Sequence, residues 1–209
     1  MRHLRPAVLL TVFFIVLTGL VFPAVVWAIG RVALPHQAGG SLLKDAQGTV
    51  VGSSLLGQNF TKPHYFHPRP SAAGAGYDAA NSSGTNLGPT SAKLINGIDD
   101  DPATKDVDET YAGFTDLAQA YRTENGLLPD AVIPADAATR SASGLDPHIS
   151  PANAELQVAR VAKARGLEPE AVRSVVTTQT QGRALGLFGE PRVNVLLLNL
   201  ALDSIPSRR

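Results

Sequence analysis

The hydrophobic pattern is strongest at the start of the chain. AVLLTVFFIVLTGLVFPAVVWAI, from Ala7 to Ile29, carries no charged residue. As a helix rising about 1.5 Å per residue, these roughly 23 positions reach across a hydrocarbon core of about 30 Å. Ala7, Phe14, Gly19, Pro23 and Ile29 mark the expected span. Pro23 is tolerable in a membrane helix, and Trp27 falls where an indole meets the headgroups. Arg2 and Arg5 precede the run and only Arg31 follows closely, a bias that keeps the N-terminus in the cytoplasm. Residues 1–6 are then a cytoplasmic tail, 7–29 a transmembrane helix and 33–206 an extracytoplasmic domain. The competing reading is a signal peptide cut after Val26-Trp27-Ala28. The run exceeds the usual apolar length of about 7 to 15 residues, which favours a retained anchor in the lipid bilayer. Thr18, Gly19 and Ala24 allow close contact with another helix.

Beyond the anchor the pattern becomes mixed. Residues 33 to 60 read as short strands and turns, with Thr49-Val50-Val51 ahead of Gly52. Residues 58 to 92 lack periodicity and are rich in Pro, Gly, Ser and Asn. Phe60, Tyr65, Phe66, Tyr77 and Leu87 make them an ordered, functional loop and not an idle linker. The acidic DDDPATKDVDE, 99 to 109, lacks the alternation of a calcium loop and reads as a solvated insertion. A helix is expected from about Tyr111 to Asn125. Ala131 to Thr139, with Pro134 inside it, is an edge strand at best. Ser150 caps a helix that starts at Pro151 and stops at Gly166, with Ala154, Val158, Val161 and Ala162 on its buried face. A second helix starts at Pro169 and carries Ala171, Val172, Val175 and Val176. After Pro191, VNVLLLNLALD is apolar except at Asn194 and Asn199. It reads as the central element of the core, a helix with a strand as the alternative. The fold class is α+β: one N-terminal transmembrane helix followed by a single mixed extracytoplasmic domain.

Charge and composition narrow the chemistry. Eighteen basic residues balance eighteen acidic ones, so nothing electrostatic invites nucleic acid. With no cysteine, disulfides, thiolate nucleophiles and cysteine metal sites are excluded. No phosphate loop, dinucleotide fingerprint, nucleophile elbow or H-E-x-x-H motif occurs. Two constellations bear weighing. His64 and His67 supply two metal ligands where zinc needs three or four. Asp146, His148 and Ser150 contain the residue types of a hydrolase triad, but such near neighbours do not easily form the relay. The PHYFHPRPS stretch, 63 to 71, is better read as a docking surface. Its prolines fix the backbone in advance, and aromatics with Arg are frequent interface anchors. Tyr65, Phe66, Arg69 and Pro70 are the candidate partner contacts, with Asn86 and Leu87 from the same loop.

GSSLLGQNF (52 to 60), YFHPRPSA (65 to 72), SSGTNLGPT (82 to 90), SGLDPHISPANAELQVARVAKARGL (143 to 167) and GLFGEPRVNVLLLNLALD (186 to 203) resemble one family. It is the C subunit of the bacterial potassium-importing P-type ATPase, the KdpC family. The resemblance implies a non-catalytic, single-pass subunit of the inner membrane. Its implied partners are a channel-like potassium-binding subunit, an ATP-hydrolysing P-type subunit and a small single-helix subunit. It also implies a catalytic chaperone that raises the pump's affinity for ATP, with ATP itself as a possible ligand. SLLGQ (54 to 58) is similar to the signature of ABC-transporter ATPases over five residues only. A domain outside the membrane lies away from cytoplasmic ATP, so packing against the channel-like subunit is expected, with any effect on ATP indirect. The sequence departs from the family at 96 to 112, where an acidic stretch replaces a continuous helix. The rival readings are an exported hydrolase using His148 or the His64 pair, and a free periplasmic binding protein released after Ala28.

Overall fold

A computed structural model describes residues 3–45, 47–98 and 110–205. The chain divides into two compact units between Ser53 and Ser54. In the first, α1 (Leu4–Val16), a π-helical turn (Leu17–Val21) and α2 (Phe22–Ala33) form one uninterrupted apolar helix. Its 30 residues make it long and apolar enough to cross a membrane. The π turn has a local cause. Pro23 has no N–H, and its ring would press on the carbonyl of Gly19 four residues earlier; widening the preceding turn relieves both problems. A short helix α3 (Pro35–Ala38) follows, then a hairpin of β1 (Leu42–Lys44) and antiparallel β2 (Val50–Ser53). The Asp45 carboxylate accepts from the amides of Gln47 and Thr49 and so closes the connection.

The second unit is built around its last third. After the short helix α4 (Ala92–Asn96) and α5 (Phe114–Glu124) come β3 (His148–Ile149), α6 (Pro151–Arg165), α7 (Pro169–Gln179), β4 (Thr180–Gln181), β5 (Arg192–Asn194) and α8 (Val195–Asp203). The strands make a small antiparallel sheet with β5 in the middle, Val193 standing opposite both Ile149 and Thr180. Helices α6, α7 and α8 pack against β5, α7 lying against both of the others. The α6 prediction holds at both ends. The Ser150 hydroxyl caps the amide of Asn153, and Gly166 closes the helix in the left-handed region at φ 65°. Ala154, Val158, Val161 and Ala162 are buried as expected, joined in the core by Phe66, Ile149, Val172, Val176, Val193, Val195, Leu198 and Leu202.

Three expectations shift. The helix expected over 111–125 is shorter. Tyr111 instead pairs with Ile98 through two backbone hydrogen bonds, and Gly113 is the helix cap, donating its amide to Asp116 Oδ2 at 2.8 Å. Residues 131–139 form no strand. They hold a 3-10 turn at Ala135–Ala137, because Asp136 is drawn to α6, where it accepts from the amide and hydroxyl of Ser150. The run after Pro191 is both alternatives in succession, strand β5 and then helix α8. Asn194 makes the change possible, since its side chain caps the amide of Leu197. The acidic 99–109 segment lies outside the described residues.

Candidate functional site

The PHYFHPRPS segment has almost no regular structure, so its backbone groups need partners from elsewhere. They find them in the side chains of α6 and α8. Asn199 of α8 accepts from the Phe66 amide at 2.8 Å and donates to the Phe66 carbonyl at 3.0 Å. Gln157 of α6 does the same for His67, at 2.7 and 3.1 Å. Two carboxamides thus imitate a neighbouring strand for two consecutive residues. Arginines take the carbonyls before them: Arg160 those of Pro63 and Tyr65, Arg165 that of His64. Tyr77 donates its hydroxyl to the carbonyl of Arg69 at 2.9 Å. Burial pushes that phenol well above its ordinary range, so it remains a donor.

Between this segment and α5 lies a cleft of about 370 Å³. Its charged wall residues are already engaged. His67 Nδ1 stands 2.8 Å from Glu124 of α5, and His67 Nε2 lies 3.0 Å from the Lys62 carbonyl. The hydrogen bond from His67 holds the Glu124 carboxyl below its usual range, against the opposing effect of burial. Arg69 reaches Asp146 at 3.0 Å and the Thr139 carbonyl at 3.3 Å. Burial would raise the Asp146 carboxyl, but hydrogen bonds from His148 and Arg69 bring it down on balance. Arg140 donates to the Tyr111 hydroxyl and the Ala112 carbonyl. The arrangement braces a loop; it does not aim a nucleophile or an acid–base pair at open space.

The sequence-predicted residues divide accordingly. Phe66 is fully buried, and its ring belongs to the core. Tyr65 is half-buried, edge-on to Phe60, with its hydroxyl near Asp203 and the Arg165 guanidinium over its ring. Arg69 and Pro70 are half-buried beside the cleft. Asn86, exposed and in the left-handed region at φ 53°, and half-buried Leu87 stay on the surface. Ala7, Phe14, Gly19, Pro23 and Ile29 all lie on the long helix with exposed surfaces. The two histidines do not share an ion: His64 tilts over Tyr65 while both ring nitrogens of His67 face protein acceptors. Among the described residues no group of three His, Asp or Glu converges as a metal site requires. Ser150 donates to Asp136 while His148 turns to Asp146, so the three triad types do not form a relay. In the 54–58 segment, the Gly57 amide donates to the Leu145 carbonyl at 2.8 Å. A side chain there would strike Tyr77.

Sequence reasoning missed the residues that do the bracing: Gln157, Arg160, Arg165 and Asn199. A signal existed. Asn153 and Gln157 interrupt the buried face of α6 at helical spacing, and Asn199 interrupts the apolar run of α8. Buried amides at such positions need partners, and a nearby loop without regular secondary structure needs the same.

Comparison with known proteins gives a consistent picture. A family model described as KdpC, K+-transporting ATPase, c chain, matches residues 4–204. A protein of Caulobacter sp. (strain K31), named Potassium-transporting ATPase KdpC subunit, is 52% identical over 204 residues, covering 98% of this chain and 94% of its own. A Myxococcus xanthus protein of the same name is 53% identical over 190 residues, with 90% and 81% covered. One from Mycobacterium tuberculosis (strain CDC 1551 / Oshkosh), again so named, is 47% identical over 204 residues, with 98% and 99% covered.

Proposed function

The chain belongs to the KdpC family, the c chain of potassium-transporting ATPases, and from that premise we propose that it is a non-catalytic accessory subunit of an ATP-driven potassium importer. One observation carries the reading beyond the family match. The helix from Leu4 to Ala33 buries none of its most apolar window within the chain, so its surface is left for lipid or for other membrane helices. Arg2 before that helix and Arg5 in its first turn favour an N-terminus in the cytoplasm, with the second unit outside. There it packs against a channel-like potassium-binding subunit, beside the P-type subunit that hydrolyses ATP and a small single-helix subunit.

Its action as a chaperone of catalysis, raising the pump's affinity for ATP, is then exerted through that packing. The arrangement of Gly57 favours an indirect route, because its amide is bonded to the Leu145 carbonyl and its Cα is packed against Tyr77. The test is extraction of the full chain from membranes in detergent, followed by affinity purification. The expected result is co-purification with a large polytopic protein and a P-type ATPase, with hydrolysis stimulated by potassium. Recovery of a lone soluble protein of reduced mass overturns the reading. A nucleotide analogue that crosslinks to residues 54–58 in correctly oriented membranes overturns the indirect route alone.

A further inference from the structure

The π turn before Pro23 leaves a gap in the hydrogen-bond ladder of the long helix. A helix carbonyl takes its donor from the amide four residues on, or five residues on in a π turn. For the Thr18 carbonyl these positions are Phe22 and Pro23. The Phe22 amide goes to the Leu17 carbonyl, and proline has no N–H. Among the described residues, neither position therefore donates to Thr18. The same proline denies the Gly19 carbonyl its α-helical donor. Nothing on the helix shields this pair. The Thr18 hydroxyl turns back to the Phe14 carbonyl at 2.6 Å, Gly19 has no side chain, and both residues are exposed.

The depth of the gap decides what can fill it. Eleven residues of the apolar run lie on each side of Thr18. At about 1.5 Å per residue each end is about 17 Å away, which exceeds half of a hydrocarbon core of about 30 Å. Headgroup water does not reach that level, acyl chains offer no donor, and an open carbonyl there is costly. A second copy of this chain does not supply the donor. The apolar run holds three side chains that can donate, Thr11, Thr18 and Trp27. In copies inserted with the same orientation Thr18 meets the gap, and its hydroxyl is already given to Phe14. Thr11 and Trp27 lie seven and nine residues off, both at least about 10 Å along the axis.

We propose that the Thr18–Gly19 step is a docking point for a transmembrane helix of a different subunit of the same ATPase, whose serine, threonine, asparagine or glutamine side chain donates to the open carbonyls. The inference rests on the reading of this chain as a membrane subunit of that pump. Side chains of those four types make the hydrogen bonds between helices inside a bilayer. Gly19 lets such a helix come near. A side chain added there meets nothing of this chain within 4 Å, so the space beside the carbonyls is open.

The experiment keeps the full chain in its native membranes and reads co-purification with the P-type ATPase. Pro23→Ala restores the missing N–H and closes the ladder. It is expected to lower recovery of the complex roughly three- to tenfold, the effect of one hydrogen bond between membrane helices. Gly19→Val keeps the open carbonyls but blocks the approach to them, with a similar loss expected. Leu20→Val, on the opposite side of the helix, is expected to recover like the parent. Phe22 lies one turn beyond Thr18 on the same side. Replaced by the photoreactive p-benzoylphenylalanine, it is expected to crosslink on irradiation to a polytopic protein of the complex. Recovery of Pro23→Ala or Gly19→Val at the parent level overturns the proposal, as does an equal loss from Leu20→Val. Crosslinks to phospholipid only, or to a second copy of the chain, overturn it too. Should Gly19→Val fail to insert, Pro23→Ala decides the matter. If the unaltered chain does not co-purify with a P-type ATPase, the subunit reading itself fails; if it does and the variants match it, only the docking point fails.

Discussion

Asn199 sits within the most apolar stretch of the second unit and is buried, yet it holds the loop by two hydrogen bonds to Phe66. Two physical tendencies oppose each other there. Leucine is a better helix former and more apolar, so on propensity and burial alone Asn199→Leu would stabilise α8. The same substitution leaves the Phe66 N–H and C=O buried without partners, at roughly 1–3 kcal/mol each. The second effect is larger, and a net loss of roughly 2–5 kcal/mol is expected from denaturant unfolding of the variant. A stability equal to or above that of the parent chain would show that the carboxamide does not hold the loop. Phe66 itself illustrates the difference between residue type and residue role. Aromatic, flanked by prolines and close to Arg69, it reads as an interface anchor. Its ring is at the centre of the core, and what it contributes to any partner is the position of its neighbours.

At the level of elements, local rules were legible and long-range pairings were not. The α6 helix could be read from Ser150, Pro151 and Gly166 because caps and stops act within a few residues. The long apolar helix could be read from composition alone, although the π turn ahead of Pro23 was not. The start of α5 could not, because Tyr111 is claimed by Ile98, thirteen positions upstream across the acidic stretch. The bracing of 63–71 likewise depends on α6 and α8, roughly a hundred residues away in sequence, and no local pattern encodes which amide meets which loop. The contact of this loop with α5 carries a carboxylate of shifted pKa. His67 holds the Glu124 carboxyl below its usual range, so the folded state binds that proton less readily than the unfolded chain. The stabilisation is present above the ordinary carboxylate pKa of about 4.3 and is lost as pH falls through the lower folded value. Melting temperatures measured from about pH 6 down to 3 should therefore fall more steeply for the parent than for Glu124→Gln. The difference at neutral pH should stay below about 1 kcal/mol, because the carboxylate is partly solvated. Parallel profiles would remove the pair from the account of the loop.

For the whole molecule, the division at Ser53 has a consequence for where stability resides. Every apolar residue of the buried core lies between Phe66 and Leu202. The loop, its arginine and amide braces, and the three-stranded sheet are all within the second unit. The long helix contributes no buried side chain to that core. A chain beginning at Ser54 therefore keeps the core, the braces of the loop and the sheet, including the Ser54 carbonyl that accepts from Asn194 at 2.9 Å. Such a fragment is expected to unfold in a single cooperative transition. Its stability should lie within about 1 kcal/mol of the domain in the full chain, a shift of roughly 2–4 °C for a unit of this size. Calorimetry of the fragment beside the detergent-solubilised parent measures this directly. A fragment with native-like helicity but no cooperative transition would mean that the first unit completes the core, and that anchor and domain fold as one body.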